Sequence, residues 1–320
     1  MDKKDNKLLA ELIINSRLPV NRLAKKVGIS REVANYRINR IVKEKVILDF
    51  YTIIDTEKLG FLRYTCFLQL KGISRDKEKI IIDKLVKNSF ITYMGLLIGK
   101  WNLVLDILAK SRTHLENVVN EIKGNVSPYL DNYLIINTGT EQEIFPTKLF
   151  GVNKKLSFNK KSKSIKIDKI DLKLLRALSK NSRAEYKDLS TRIGLSANAI
   201  KHRINNLENS GIIQGYTISI DKRKLGYEWY NIQIKLNEDN AQLKEFLRQH
   251  KKVIYFYKYI GHENWDLDAG IIVKDSLDLR DFILDLREKF GNIIKIYDIY
   301  VIIEESKGNY APEGIFEELP

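Results

Sequence analysis

Two short stretches carry side chains of the kind that reads hydrogen-bonding edges. Ser30, Arg31, Asn35, Tyr36, Asn39 and Arg40 in one, and Ser196, Asn198, Lys201, His202, Arg203 and Asn205 in the other, recur at short intervals that a helix gathers toward its outer side. Amide, ammonium and guanidinium groups pair with base edges, and hydroxyls and cations hold phosphate oxygens. This is recognition chemistry rather than bond-making. The four histidines, His114, His202, His250 and His262, lack ligand spacing, and the single Cys66 excludes both an intrachain disulfide and a cysteine-based zinc site. Nothing resembles a phosphate-cradling glycine loop or a nucleophile elbow.

Helices must place these side chains, and the chain writes the same three twice. "NSR" recurs at Asn15 and Asn181, an offset of 166 residues (181 minus 15), and "YRINRIVKEKVILDFYTIID" from Tyr36 aligns without a gap with "HRINNLENSGIIQGYTISID" from His202. Each copy opens on a helical period, Leu8, Leu9, Leu12 and Ile13 or Leu174, Leu175 and Leu178, begun by an aspartate suited to an N-terminal turn. A second helix is predicted near 20–27 and 186–193, stopped by Gly28 and Gly194, and Ser30 and Ser196 then cap a third. Ala34, Ile38 and Ile41, matched by Ala199, Ile200, Ile204 and Leu207, give the third helix an apolar stripe opposite its polar side. Followed by a short strand, "FYTIID" or "YTISID", this is the pattern of a winged helix-turn-helix whose third helix enters the major groove of double-stranded DNA. Arg37 and Arg203 fall on the flank of that helix, where an internal ion pair and a phosphate contact are both open.

Beyond Leu59-Gly60-Phe61 and Leu225-Gly226-Tyr227 the pattern turns to strands separated by helices, βαββαβ in each copy. The fold class is α+β. The expected domains are a winged helix-turn-helix over 1–60, a βαββαβ module over 61–140, a basic linker over 141–167, then 168–226, 227–306 and a C-terminal tail over 307–320. The linker carries Lys154, Lys155, Lys160, Lys161, Lys163 and Lys166 and reads as a solvated connection that could also touch phosphate. A formal charge of +14 favours a polyanionic partner. Met1 leads into "DKKDNK" without an apolar leader, and the longest apolar run, "FITYMGLLIG", is too short to span a bilayer. A cytoplasmic chain with no membrane partner is expected.

The series "ID.KLL..L..NSR", "DLS.RIGLS", "RI..LE..GII.GYT..ID" and "LGY" between Ile170 and Tyr227 resembles the signature of the Lrp/AsnC (feast/famine) transcription regulators, and the resemblance covers nearly the whole chain, twice. It implies a sequence-specific DNA-binding regulator whose βαββαβ modules are ACT-like (RAM) sandwiches. The family's usual protein carries one copy per chain and dimerises sheet to sheet, so this chain resembles a dimer written as one polypeptide. The tether favours an intrachain pseudo-dimer by effective concentration, with pairing between chains and further homo-oligomers left open.

The family also implies a place for an amino-acid effector, at turns that here read "GKWNL" and "GHENWDL". Gly99, Trp101 and Asn102, and Gly261, Trp265 and Asp266, would line it, Asp266 holding the ammonium. The competing reading is a hairpin turn with a tryptophan packed on the sheet. No cofactor or metal is implied. The alternatives are an interaction platform or a sirohaem decarboxylase-like enzyme; the latter resembles this scaffold but would need histidines and arginines on the middle strands, where only His262 sits. Copy one departs from the pattern with Lys45 for Gly211 and Asp49 for Gly215. A non-glycine residue in the left-handed region costs about 1 kcal/mol, so the first head is expected to end its recognition helix differently.

Overall fold

The computed structural model describes residues 1–156, 166–260, 264–308 and 311–319. The chain forms two compact units, and neither is one copy of the repeat. One gathers the helical heads of both copies together with the C-terminal segment; the other, Arg63–Leu156 with Lys222–Gly308, gathers both βαββαβ modules. The serial division into domains is thus replaced by a pairing of like with like.

In the first unit, α1 (Lys3–Ile14), α2 (Val20–Val27), α3 (Arg31–Lys43) and β1 (Ile47–Ile54) make the first head. Asp2 caps α1 in a reciprocal box with Asp5, and Ser30 caps α3 by accepting from the Val33 N–H. Leu8, Leu9, Leu12 and Ile13 of α1 close with Leu23, Ala34 and Ile41 into a core from which water is excluded. The second head follows the same plan.

Within each module the helices cover one face of the sheet. The first module contains β2 (Leu62–Leu70), α4 (Arg75–Lys87), β3 (Ile91–Ile98), β4 (Leu103–Ala109), α5 (Arg112–Val126) and β5 (Leu130–Ile144). The second head then has α6 (Lys169–Lys180), α7 (Tyr186–Ile193), α8 (Ala197–Asn209) and β6 (Ile213–Ile220). Its module has β7 (Glu228–Leu236), α9 (Ala241–Gln249), β8 (Val253–Ile260), β9 (Leu267–Val273), α10 (Ser276–Phe290) and β10 (Ile294–Gly308), before α11 (Glu313–Glu318).

The strand that follows each recognition helix pairs with its counterpart. β1 and β6 form an antiparallel two-stranded sheet centred on Tyr51 opposite Thr217. The register repeats under the 166-residue offset: Asp49 faces Ser219 and Ile53 faces Gly215, Phe50 faces Ile218 and Thr52 faces Tyr216. Even the two register shifts are related this way, with Ile47 facing Ile220 and Ile54 facing Ile213. Around this dyad the Ser16 N–H donates to the Tyr216 carbonyl and the Ser182 N–H to the Phe50 carbonyl, each at 3.0 Å. The buried Ser16 and Ser182 hydroxyls meet at 2.7 Å, Arg17 donates to the Ser182 carbonyl, and Arg183 donates to the Ser16 carbonyl. The copies therefore pair in cis.

The second unit closes the two sheets into one barrel rather than stacking them as separate sandwiches. Its strand order is β10-β3-β4-β2-β5-β8-β9-β7, and the joins β5–β8 and β10–β3 are both made between copies. Each module keeps its own apolar core on its helical side: Leu68, Leu85, Met94, Leu105 and Ile122 in the first, Ile234, Leu247, Phe256, Phe282 and Leu286 in the second.

Two further expectations need correction. Residues 141–156 are not a solvated linker: β5 runs to Ile144, Phe145 enters the second module's core, and a 3-10 turn at Pro146–Phe150 buries Lys148. Its ammonium donates to the carbonyls of Arg248 at 2.7 Å and His250 at 2.9 Å, which a reading from lysine content misses. Lys160, Lys161 and Lys163 lie outside the described residues. The tail carries α11, whose Glu313 pairs with Arg176 and Lys180 of α6, each at 2.5 Å.

The first head also ends its recognition helix as the second does. Lys45 takes φ 54° where Gly211 takes φ 67°, and Asp49, unlike a turn glycine, sits in the β1 ladder. The tertiary fold imposes the left-handed residue and absorbs its strain. Lys45→Gly is therefore expected to stabilise the protein by up to about 0.5 kcal/mol, the relief of about 1 kcal/mol of strain less the extra chain entropy of glycine. Gly211→Ala should destabilise it by about 1 kcal/mol. Urea denaturation midpoints check both.

Candidate nucleic-acid interface

The third helix of each head is held by carboxylates planted at the start of that head. Asp5, 1% exposed, receives Arg37 at 2.8 Å and Arg40 at 2.6 Å, while Asp2 receives Arg37 at 2.7 Å. In the second head Arg203 spans Asp168 at 2.8 Å and Asp171 at 2.9 Å. Burial pushes the Asp5 carboxyl up, but the Asp2 N–H and both guanidiniums outweigh it and hold the group below its usual range. Asp2, held first by the Asp5 N–H and then by Arg37, falls to about 2. Each clamp ties the N-terminus of the first helix to the flank of the third.

These clamps correct two expected DNA contacts. Arg40, nominated as an outward contact, spends its fork inward on Asp5, and Arg203, for which an ion pair and a phosphate contact were both open, takes the ion pair as Arg37 does. Ser30 and Ser196 also have a structural duty, accepting from the Val33 and Ala199 N–H groups. The other nominated side chains face solvent: Arg31, Asn35, Tyr36 and Asn39 on α3, Asn198, Lys201, His202 and Asn205 on α8. Tyr36 is 67% exposed, unusual for an aromatic ring with no interior to fill. Beside the second clamp, Lys166 and His202 line a shallow groove with Asn206.

The turns nominated for an effector are occupied by backbone work. Asn102 accepts from the Leu70 N–H at 2.6 Å, and Asp266, its counterpart, accepts from the Leu236 N–H at 2.7 Å while receiving Lys235 at 3.2 Å. Both carboxylate oxygens of Asp266 are thus engaged within the chain, which corrects its expected role as the ammonium's partner. Trp101 is buried, its ring 5.8 Å from that of Phe67, and Gly99, at φ 148°, lets the chain pass the Tyr300 side chain. Trp265 is half-buried, and Gly261 lies outside the described residues, as does His262.

A polar barrel interior went unnoticed in the sequence. On the face of β7, β8 and β9 opposite the helices, the buried Asp268 accepts from Tyr259 and Tyr300, both at 2.9 Å, and from Asn231 at 2.5 Å. Tyr255 donates to Asn231 at 2.8 Å, its ring crossing Gly270, where a Cβ would collide with it at 2.3 Å. From the first module Asp106 receives Thr65 at 2.8 Å. Burial drives both carboxyls up, Asp268 to about 6, with its hydrogen bonds pulling the other way. The signal that could have found this network is alternation: Asn231, Gln233, Tyr255, Tyr257, Tyr259 and Asp268 share one strand face while apolar residues fill the other.

Comparison with known proteins agrees with the head geometry. The family description "AsnC-type helix-turn-helix domain" matches residues 1–41, and "Winged helix-turn-helix DNA-binding" matches 167–214. The transcriptional regulator LrpA of Pyrococcus horikoshii is 32% identical over 149 residues, 44% of this chain and 99% of its own length. LrpB of Bacillus subtilis is 26% identical over 159 residues, 48% of this chain and all of its own. One relative thus accounts for one copy. The crystal structure of the siroheme decarboxylase NirDL aligns over 99% of this chain and 98% of its own with a TM-score of 0.64, at 14% identity, a likeness of fold.

The raised Asp268 carboxyl makes stability depend on pH. Between its unfolded value of 3.8 and its folded value of about 6, the folded state holds a proton that the unfolded state releases. The associated stability is present below the lower value and lost as pH rises through the upper one, a fall on the order of 3 kcal/mol. Asp268→Asn should flatten that fall, read from urea midpoints at pH 4, 5, 6 and 7.

Proposed function

This chain belongs to the Lrp/AsnC family of transcription regulators, and from that membership we propose that α3 and α8 together form its reading surface for double-stranded DNA. Asn35, Asn39, Lys201 and Asn205 would address base edges, with Arg31, Asn198, His202 and Tyr36 beside them and the Ser30 and Ser196 hydroxyls toward phosphate. The carrying observation is a division of labour on each helix. Arg37, Arg40 and Arg203 are committed to the clamps, whereas no hydrogen bond or ion pair to another described residue ties the side chains of Asn35, Asn39, Lys201 or Asn205. Exposed polar side chains carried on helices that are themselves clamped meet the geometric requirement for groove readout.

The relatives are transcription regulators, and the proposal is accordingly a regulator rather than an enzyme. An amino-acid effector, which the family resemblance implies, would have to be held by atoms other than the Asp266 carboxylate.

Gel-shift titrations on genomic fragments at increasing salt test the proposal: the log-log slope should steepen by about −0.9 for each neutralised phosphate. Lys201→Ala should weaken binding about 5-fold or more at unchanged thermal stability, the cost of one lost base-edge contact. Arg203→Ala should instead lower the unfolding free energy by on the order of 1–3 kcal/mol, read as a lower urea midpoint, because it strands the Asp171 carboxylate. Unchanged affinity in Lys201→Ala at every salt concentration would remove α8 from the reading surface.

A further inference from the structure

The β1–β6 register, the Ser16–Ser182 contact and the reciprocal arginine links repeat under the 166-residue offset, while the surfaces that the two recognition helices present do not. Both helices have serine N-caps, both are clamped to an aspartate of their own first helix, and both end on a left-handed residue. On the exposed side the correspondence breaks: Arg31 answers Ala197, Glu32 answers Asn198, Asn35 answers Lys201 and Tyr36 answers His202, with only Asn39 and Asn205 alike. The serine caps and the Arg37 and Arg203 clamps that hold the helices are shared, Arg40 of the first head alone lacking a counterpart at Asn206, while every outward pair named here except Asn39 and Asn205 has diverged.

We infer that a single chain reads a non-palindromic duplex, two half-sites of different sequence recognised in one orientation. In a homodimer identical heads force the operator toward a palindrome. Here both heads belong to one unit of one chain, so nothing requires the halves to agree. The chemistry says where they differ. Asn35 matches the donor and acceptor of adenine N6 and N7, whereas Lys201 donates to guanine O6 and N7. Glu32 accepts from cytosine N4, which Asn198 does less well, and the Ala197 methyl suits a thymine methyl where Arg31 suits guanine. Asn39 and Asn205 supply whatever the halves have in common.

This inference rests on α3 and α8 being the reading helices, and one experiment separates its failure from that of the underlying reading. The full chain is used to select from a random duplex library, and the winning sequence is compared with the two palindromes built from its halves. An asymmetric winner, bound about 5- to 150-fold more tightly than either palindrome, is expected, the range given by one discriminating contact of 1–3 kcal/mol. The variant carrying Ala197→Arg, Asn198→Glu, Lys201→Asn and His202→Tyr, all at exposed positions, should select a near-palindrome. Orientation is read by tethering a cleavage reagent to Lys43→Cys, an exposed site on α3; Cys66 is buried, so the reagent marks only the first head and should cut on one side of the operator. A palindromic winner with the unmodified chain, or equal cutting on both sides, overturns the inference and leaves DNA reading intact. No enrichment and no shift of any fragment at low salt overturns both.

Discussion

The pairing of β1 with β6 is the constraint on which the first unit depends. Two eight-residue strands, one from each copy, exchange main-chain hydrogen bonds about a dyad at Tyr51 and Thr217. Each strand alone would be an edge with unsatisfied donors and acceptors. Together they satisfy one another and place two helical heads in a fixed mutual relation. The Thr52 and Thr217 hydroxyls extend the bond network to the last turns of the opposite heads' first helices, donating to the Leu178 and Ile13 carbonyls at 2.7 and 2.8 Å. A recognition helix is thereby positioned through both copies, not through its own alone.

Much of this was legible in short-range patterns. Helix starts follow from Asp2, Ser30, Asp168 and Ser196, because a cap acts on N–H groups two or three residues away. Apolar periodicity located the buried faces for the same reason. The partners of strands were not legible: "FYTIID" looks the same whether it forms a wing or a dyad, since its partner lies more than 150 residues further on. Arg40 failed similarly, sharing the helical side of true outward residues while its fate was set by Asp5, 35 residues earlier. The repeat held a usable hint, since Asp5 and Arg37 recur as Asp171 and Arg203, whereas the outward residues change. Comparing copies marks Arg37 and Arg203 as residues with an internal partner, but not Arg40, whose counterpart is Asn206.

The barrel obeys a related rule with a different interior. Each open sheet has two edges, and joining β5 to β8 and β10 to β3 removes all four at once. The helical faces are sealed with apolar side chains, so the barrel's inner face is free to carry Asp106, Asp268 and several tyrosines. Buried polar groups cost little when satisfied and bring orientation that aliphatic packing lacks. Among the described residues, the buried Tyr93 OH and Trp229 Nε1 groups have no hydrogen-bond partner.

The interleaved chain path has a consequence for the ribosome. Every strand edge of the first copy, at β1, β3 and β5, waits for a partner in the second. Translation at about 5–20 residues per second puts roughly ten to thirty seconds between equivalent positions of the two copies. Throughout that interval the nascent first half displays open edges to solvent and to neighbouring nascent chains, which carry the same complementary strands. Fusion removes the concentration dependence of a dimer and substitutes a clock: correct pairing depends on the second half arriving before a second ribosome's product does.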